Sequence, residues 1–305
     1  MTRREPEPRV VADAMYGYRR LDPLPVQADL EGFYQSAYVD LVRAGSRFPE
    51  MSRLLGSGKA ADEERLWLQT TFHTDVLDAL DEHAPANPRR LLVDIGCGIG
   101  ELIASASAAG WESIGLEPSR DAAAYGVAQG RTIVSSTLES YLAAGGPPRP
   151  PQAASLVNVL EHVRDPMGLL HLIHGMLAPG GALMIRVPND FNPLQEFASS
   201  SLRLRPWWIA IPDHVNYFDH RSIAGAVEAA GYRVVDQWAD FPMELFLLMG
   251  DDYVSRPEVG PECHARRRLF EERLNPASRR AFGRALVPLG WGRNSIVVAV
   301  RSERP

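Results

Sequence analysis

A buried strand that runs directly into a glycine-rich turn is the feature that most restricts the fold of this chain. Residues 91–101 read LLVDIGCGIGE, an apolar run followed by three glycines in five positions. A strand, turn and helix of this kind bring backbone N–H groups up to a nucleotide-type ligand at the carboxyl end of a parallel sheet. The residues around the glycines then indicate which ligand the turn binds: a dinucleotide, a nucleoside triphosphate or a sulfonium nucleoside.

Alternating strand and helix patterns continue from residue 90 onward and predict a parallel sheet covered by helices on both faces. In the helix before the sixth strand, Asp219 is the predicted N-cap and Gly231 follows the end. The predicted strands lie at residues 91–95, 111–117, 131–136, 154–160, 182–187, 232–240 and 294–300.

The segments outside this core have helical patterns. Residues 1–88 lack a strand-rich pattern, and apolar residues recur at helical spacing from Leu30 to Leu41 and again over 61–83. A structureless loop as long as the stretch between the last two strands is uncommon in a compact domain, so this stretch is predicted to be helical. We expect an N-terminal helical segment and substrate cap over 1–88, a core over 89–240 plus 293–305, and a helical lid over 241–292.

Composition and charge argue against several classes of protein. The chain has 305 residues, of which 45% are hydrophobic and 23% charged, as is ordinary for a globular protein with a sizeable core. Its net charge of −6 does not favour non-specific binding to nucleic acid or anionic lipid. The first residues lack the apolar core of a signal peptide, and no apolar run is long enough to span a bilayer. We therefore expect a cytoplasmic protein with no nucleic-acid or membrane partner.

Acidic residues around the turn favour a cationic ligand over a diphosphate. The third glycine comes one position early for the dinucleotide spacing, and Glu101 stands at the helix start, where a phosphate would bind. Asp94 precedes the turn, and Glu117 ends the second strand, where a carboxylate can accept hydrogen bonds from ribose hydroxyls. No G-K-[ST] follows, so a P-loop is excluded. A ribose with a cationic, phosphate-free substituent describes S-adenosylmethionine.

Four motifs in this order resemble the class I S-adenosylmethionine-dependent methyltransferases. They are VDIGCGIGE, GLEPS, NVLEHVRDP and MLAPGGALMIRVPN, and the resemblance covers roughly residues 90–240. The likeness is closest to the branch with the ubiquinone-biosynthesis O-methyltransferases and bacterial small-molecule methyltransferases. It implies an α/β, Rossmann-like fold whose seven-stranded sheet is mostly parallel with an antiparallel last strand. It also implies S-adenosylmethionine as cofactor and S-adenosylhomocysteine as product.

The resemblance also implies which residues hold the methionine and ribose parts of the cofactor. Asp94 would bind the methionine amino group, directly or through water. The backbone at Gly96, Cys97 and Gly98 would pack along the methionine and the ribose, and Glu117 would bind both ribose hydroxyls. Cys97 is expected to be a small turn residue and not a nucleophile, because nothing nearby in sequence would stabilise a thiolate.

The adenine and methyl ends of the cofactor are assigned in the same way. Thr137 and Leu138, after the third strand, would face the adenine, and Pro118 belongs to the ribose-binding motif. Asn158 and Val159, at the carboxyl end of the fourth strand, would lie near the methionine part or the methyl group. The acid with which relatives commonly contact the adenine amino group is missing here, so adenine recognition is expected to be mostly through backbone.

Methyl transfer from a sulfonium is an in-line displacement, for which a hydroxyl acceptor needs a general base, and histidine suits that role near neutral pH. His214, in IPDHVNYFDH after the fifth strand, is the predicted base, with Asp213 beside it and Tyr217 three residues on. His162, in LEHVRDP, is a second candidate, although a structural role in orienting its loop is favoured for it. These three residues, His214, His162 and Tyr217, form the candidate catalytic group.

No metal site is assigned, because the acidic pair Asp251–Asp252 has no further ligands at a suitable spacing. The sequence predicts methyl transfer to a small-molecule acceptor, such as a sugar-containing or secondary metabolite, with O-methylation slightly favoured. N- or C-methylation and a non-catalytic cofactor-binding protein stay open, whereas the glycine spacing disfavours an NAD-dependent oxidoreductase. The oligomeric state also stays open, a homodimer included.

Overall fold

The computed structural model describes residues 8–26, 49–56 and 58–302. The helix expected from Leu30 to Leu41 lies outside these residues. The central sheet is formed by strands β3 (Leu91–Ile95), β4 (Glu112–Leu116), β5 (Ile133–Val134), β6 (Ala153–Val157), β7 (Ala182–Pro188), β9 (Tyr232–Ala239) and β10 (Asn294–Arg301). A smaller sheet contains β1 (Arg9–Ala12), β2 (Arg19–Asp22) and β8 (Asn216–Tyr217).

The order of the strands in the central sheet is β5-β4-β3-β6-β7-β10-β9. Strands β5, β4, β3, β6 and β7 are parallel to one another, whereas β10 is antiparallel to both β7 and β9. This mixed sheet confirms the predicted Rossmann-like class I fold. Because the carboxyl ends of β3, β4 and β6 meet at one edge, the loops that follow these strands can build one site there.

Helices cover both faces of the sheet and bury apolar side chains against it. Asp219 caps the helix before β9 through the N–H of Ser222 at 2.7 Å, and Gly231 follows the helix at a positive φ of 93°. The described helices are α1 (Pro49–Leu55), α2 (Lys59–Leu68), α3 (Thr74–His83), α4 (Glu101–Ala108), α5 (Arg120–Ala128), α6 (Leu138–Ala143), α7 (Pro166–Met176), α8 (Pro193–Leu202), α9 (His220–Ala229), α10 (Glu244–Leu248), α11 (Gly260–Arg273) and α12 (Pro276–Leu286).

The N-terminal segment contains strands as well as helices. Strands β1 and β2 form an antiparallel hairpin, and β2 pairs with β8 beyond the fifth strand of the main sheet. The sequence pattern does not predict this small sheet. Helices α2 and α3 are joined without a break by a π-helical turn, Gln69–His73, so the helical pattern predicted over 61–83 is present.

The insertion between β9 and β10 consists of helices α10, α11 and α12 with short 3₁₀ turns, and it contacts the N-terminal helices. Trp67 Nε1 on α2 donates to Glu271 Oε2 at 3.0 Å, and Arg279 Nη2 on α12 donates to Asp75 Oδ1 of α3 at 2.8 Å. None of the helices in the described part of the chain is long and apolar enough to cross a membrane.

Candidate active site

The glycine turn after β3 lies directly against the carboxyl end of β6. Gly96 has a positive φ of 71°, a conformation that glycine adopts without strain. A Cβ atom at Gly96 would also lie 2.5 Å from Val159 Cγ2, so any side chain here would have to displace the side chain of Val159, in the loop after β6. This close approach joins the predicted cofactor-binding turn to the predicted methyl end of the site.

Glu117 is held beside the glycine turn by two backbone N–H groups. Gly98 donates to Glu117 Oε2 at 2.8 Å, and Ser119 donates to Oε1 at 2.7 Å. Burial raises the pKa of Glu117, and the two N–H groups act in the opposite direction. Pro118, next in the chain, is exposed. The carboxylate of Glu117 therefore stands at the end of β4, where ribose hydroxyls would need an acceptor.

Asp94 is a buried carboxyl group at the start of the turn. It is only 2% exposed and accepts a hydrogen bond from Ser155 Oγ at 2.7 Å. Burial raises its pKa to about 7, the Ser155 hydrogen bond opposes this shift, and the negative charge of Glu117 adds to it. A cationic partner stabilises the charged form of a buried carboxyl group, and the ammonium group of a bound amino acid would be such a partner.

Cys97 occupies the turn as a small packing residue. Its Sγ atom points toward Gly115, where an added Cβ would lie 2.5 Å from the sulfur. Burial raises the pKa of the thiol, and the nearby Asp94 and Glu117 raise it further. Because a thiolate is disfavoured here, Cys97 lacks the activation that a nucleophile requires.

The structure corrects the electrostatic role given to Glu101. The sequence placed its carboxylate at the helix N-terminus as one of the groups that repel a diphosphate. In the structure Glu101 is buried and accepts hydrogen bonds from Arg131 Nη2 at 2.9 Å and Arg65 Nε at 3.2 Å. Since two guanidinium groups balance its charge, the preference for a cationic ligand depends on Asp94 and Glu117.

The predicted adenine contacts lie after β5. Thr137 is exposed and begins α6, where its hydroxyl accepts the N–H of Ser140 at 3.3 Å. The side chain of Leu138 is 1% exposed and belongs to the hydrophobic core. The Leu138 side chain therefore points into the core and not toward an adenine at the surface. Only the backbone of Leu138 is then left to contact the adenine.

The loop after β6 places Asn158 and Val159 next to a buried acid that the sequence did not single out. Asn158 adopts a positive φ of 56°, and its Nδ2 donates to Glu161 Oε1 at 3.0 Å. The backbone N–H of His162 donates to the carbonyl of Val159 at 2.9 Å. Glu161 is directly adjacent to His162 in LEHVRDP, and that adjacency is the signal that could have indicated it.

His162 and His214 are brought together from two separate loops. Their ring centroids lie 4.9 Å apart at an interplanar angle of 81°, and His162 Nδ1 donates to the carbonyl of Asp213 at 2.8 Å. Tyr217 is farther away, with its ring 6.3 Å from that of His214, and it packs edge-on against Phe191 in the small sheet's own core. The two histidines thus share one site, and Tyr217 borders it.

Two further buried acids, Asp190 and Glu244, lie near each other, and Asp190 also lies near Glu161. Asp190, in the loop after β7, has a pKa raised well above its usual range by burial and then by the negative charge of Glu161. Glu244, at the start of α10, has a pKa raised to about 7, mainly by burial. The side chain of Gln195 hydrogen-bonds with both acids. Asp190 thus adds a second buried carboxyl group near Glu161.

The residues at this edge of the sheet fit S-adenosylmethionine. Asp94 is a buried acid suited to an ammonium group, Glu117 is a fixed acceptor suited to a ribose, and Gly96 allows backbone to approach the ligand. A family model described as a methyltransferase domain matches residues 68–237, which is more than half of the chain. The chain belongs to the class I S-adenosylmethionine-dependent methyltransferases, whose cofactor is S-adenosylmethionine.

One curated relative is the trans-aconitate 2-methyltransferase of Methylobacterium radiotolerans, which is 31% identical over 132 residues. The match covers 42% of this chain and 50% of the relative, so the chain spans about half the length of the curated protein that it matches.

Two solved structures share the fold over nearly the whole chain. The magnesium protoporphyrin IX methyltransferase from Synechocystis, with bound S-adenosylhomocysteine, has a TM-score of 0.53 at 13% identity and covers 91% of this chain and 100% of its own. The 1,6-didemethyltoxoflavin-N1-methyltransferase from Burkholderia thailandensis has a TM-score of 0.52 at 14% identity and covers 98% and 100%. At these identities the likeness shows the fold alone.

Proposed function

We propose that this protein transfers a methyl group from S-adenosylmethionine to an oxygen atom of a small-molecule acceptor. The observation that carries the proposal is the pairing of His162 and His214, 4.9 Å apart, beside the loop of Asn158 and Val159. This loop stands at the methyl end assigned to the cofactor. A hydroxyl acceptor needs a nearby group that removes its proton, and imidazole suits that role near neutral pH.

In this proposal, some residues of the chain bind the cofactor and others transfer the acceptor's proton. When bound, S-adenosylmethionine supplies a methyl group on a positively charged sulfur. Asp94 binds the ammonium group, Glu117 binds the ribose hydroxyls, and the glycine turn fixes the distance between them. His214 takes the proton of the acceptor hydroxyl, with His162 held beside it by the carbonyl of Asp213. The reacting atoms are thereby aligned for in-line displacement.

The N-terminal segment and the insertion at 241–292 are proposed to close over the acceptor together. Helix α2 contacts both the glycine-turn helix, through Arg65 and Glu101, and the insertion, through Trp67 and Glu271. A cover joined to the site in this way excludes water from the reacting atoms. The names of the relatives, among them a trans-aconitate methyltransferase, support an acceptor of small-molecule size.

The proposal is tested with isotopically labelled S-adenosylmethionine and a panel of phenols, sugar-containing alcohols, organic acids and amines. We expect labelled product with the methyl group on oxygen, identified by mass spectrometry and NMR. His214→Ala should lower turnover about a hundredfold, since the acceptor proton has no base, and should leave S-adenosylhomocysteine affinity unchanged. His174→Gln is the matched control, because His174 lies on α7 and contacts the carbonyl of Gly231.

Two results would contradict this proposal. One is a product methylated only on nitrogen or carbon across the whole panel. The other is a His214→Ala protein with full turnover at saturating acceptor, which would remove the imidazole from proton transfer.

A further inference from the structure

Three side chains beside the methyl end of the site form a cluster with the composition of a metal centre. Glu161, His162 and His214 each offer a ligand atom, and these three atoms all lie within 4.8 Å of one another. Glu161 and His162 come from the loop after β6, and His214 comes from the segment between β7 and β8. Because two distant parts of the chain supply the ligands, the sequence does not reveal the cluster.

The orientation of His162 is that of a metal ligand. Its Nδ1 donates to the carbonyl oxygen of Asp213 at 2.8 Å, and a carbonyl can only accept, so Nδ1 carries the hydrogen. Nε2 is turned toward Glu161 Oε1 at 3.9 Å, beyond hydrogen-bond distance. Imidazoles that bind metals commonly donate their other N–H to a backbone carbonyl in this way. Two atoms that each lie about 2.1 Å from one ion are separated by roughly 3 to 4 Å, which matches this distance.

Glu161 supplies buried negative charge that calls for a cation. Its side chain is fully buried, and only Oε1 is hydrogen-bonded, to Asn158 Nδ2. Oε2 has no hydrogen-bond partner among the described residues, and the same holds for Oδ2 of the buried Asp190 nearby. Burying a carboxylate is costly unless its charge is balanced. A cation between Glu161 and the two imidazoles would supply that balance.

We propose that Glu161, His162 and His214 bind one divalent transition-metal ion, such as Mn²⁺, Fe²⁺ or Zn²⁺, at the acceptor end of the methyl-transfer site. Two imidazoles and one carboxylate suit these ions, whereas Mg²⁺ and Ca²⁺ prefer oxygen ligands throughout. A three-ligand set leaves coordination positions open to a substrate. An acceptor with two neighbouring oxygen atoms would occupy two of them as a chelate.

The ion would change how the acceptor loses its proton, and this consequence rests on the proposed function. A hydroxyl bound to the ion has a lowered pKa, so its proton leaves to solvent. The resulting oxygen anion attacks the methyl carbon, the carbon–sulfur bond breaks, and the sulfur keeps the electron pair as a neutral thioether. In the metal-bound protein the ion would replace the general-base role given to His214 above, and His162 and His214 would hold the ion.

The metal site is tested on the full-length protein after treatment with a chelator and in the absence of cofactor. Titration with Mn²⁺ or Zn²⁺ by calorimetry should give one ion per chain. Co²⁺ should give visible absorption bands typical of nitrogen and oxygen ligation. Glu161→Gln and His214→Gln should each raise the metal Kd at least tenfold, because each removes one of three ligands. His174→Gln should leave the Kd unchanged, and melting curves establish that each variant is folded.

The outcomes separate this inference from the proposed function. Wild-type protein that binds none of these ions at millimolar concentration, or variants that bind them as tightly as the wild type, would overturn the metal site. Full methyl transfer by chelator-treated protein would also overturn it, while leaving the proposed function intact. Metal binding that Glu161→Gln and His214→Gln both weaken would support the site even if the panel yielded no product.

Discussion

Two carboxyl groups at the cofactor end of the site differ in how their charge is balanced. Glu117 accepts two backbone N–H groups, whereas Asp94 accepts one hydroxyl and is fully enclosed. The pKa of Asp94 is therefore raised to about 7, mainly by burial, and the group is partly protonated at neutral pH when no cation is beside it. With Asp94 as the proposed partner of the cofactor's ammonium group, cofactor binding and the protonation of Asp94 would be coupled.

Cofactor affinity is expected to depend on pH through Asp94. Below pH 7 the neutral acid must lose its proton before it can pair with an ammonium group, so affinity should fall about tenfold per pH unit below this value and level off above it. The effect is measured by calorimetric titration with S-adenosylhomocysteine at pH values from about 5.5 to about 8.5, a range that brackets the Asp94 pKa of about 7. In Asp94→Asn the slope should vanish; parallel slopes in both proteins would contradict the assignment.

The same pKa shift affects folding with a defined sign. The folded-state pKa of Asp94 lies above its ordinary value of 3.8, so the folded protein binds this proton more tightly than the unfolded chain does. The contribution of the proton to stability is fully present below pH 3.8, decreases as pH rises, and is lost above about pH 7. A buried group that lowers stability at neutral pH is typical of functional sites.

At the residue scale, the sequence motifs located acidic residues of the candidate site but did not show which side chains contact them. Asp94 and Glu117 stand in the motifs that indicate them, and the structure places them at one edge of the sheet. The charge of Glu101 was misjudged because its partners are distant in sequence: Arg65 lies 36 residues before it and Arg131 lies 30 residues after it. Glu161 was missed because its role depends on His214, a residue distant in sequence that folding brings close to it.

At the scale of single elements, helix α12 packs so closely on β9 that one glycine is required. A Cβ atom at Gly283 would overlap the backbone carbonyl of Ala239, and backbone cannot move aside as a flexible side chain can. Gly225, in helix α9, is the matched control, because a Cβ there would have no heavy atom within 4 Å.

Alanine at these two positions should have opposite effects. Gly283→Ala should lower the free energy of unfolding by about 1–3 kcal/mol, because it overpacks the contact between α12 and β9. Gly225→Ala should raise it by about 0.5–1 kcal/mol, because alanine has the higher helix propensity. Urea denaturation measures both. Equal effects of the two substitutions would show that packing on β9 does not decide the outcome.

The elements that sequence predicts best are those that local pattern defines. The seven strands of the main sheet were located because each lies within a continuous apolar or alternating run. Most of these strands are largely buried in the sheet, whereas the two-residue β5 is partly exposed. The two-residue β8 was missed, since it exists through pairing with β2, a segment nearly two hundred residues away. The local hairpin of β1 and β2 was missed because its strands are only four residues long, too short for a clear strand pattern. Helix α8 was missed because its sequence, PLQEFASSSL, buries little and carries serines along its exposed side.

At the scale of the whole molecule, the insertion is fastened to the N-terminal helices through buried charge. Arg279 on α12 contacts both carboxylate oxygens of Asp75 on α3, at 2.5 and 2.8 Å, and also donates to the carbonyl of Leu274. Asp75 is only 3% exposed, so removing its partner leaves a buried acid without compensation.

Arg279→Ala should loosen the insertion as a unit. We expect a loss of about 3–5 kcal/mol of stability, as for breaking a buried ion pair, with faster amide hydrogen exchange in α11 and α12. Arg273→Ala, at an exposed position of the same segment, is the control and should exchange like the wild type. Exchange rates for Arg279→Ala that match the control would show that the ion pair does not fasten the insertion.

The position of β10 between β7 and β9 has a consequence for biosynthesis. Strand β9 leaves the ribosome first, yet within the described residues it pairs in the central sheet with β10 alone, which is translated more than fifty residues later. A nascent chain can therefore assemble the parallel half of the sheet early, while β9 waits unpaired with its edge open. Such an exposed strand is a site for chaperone capture or misassembly until β10 arrives to join the two parts.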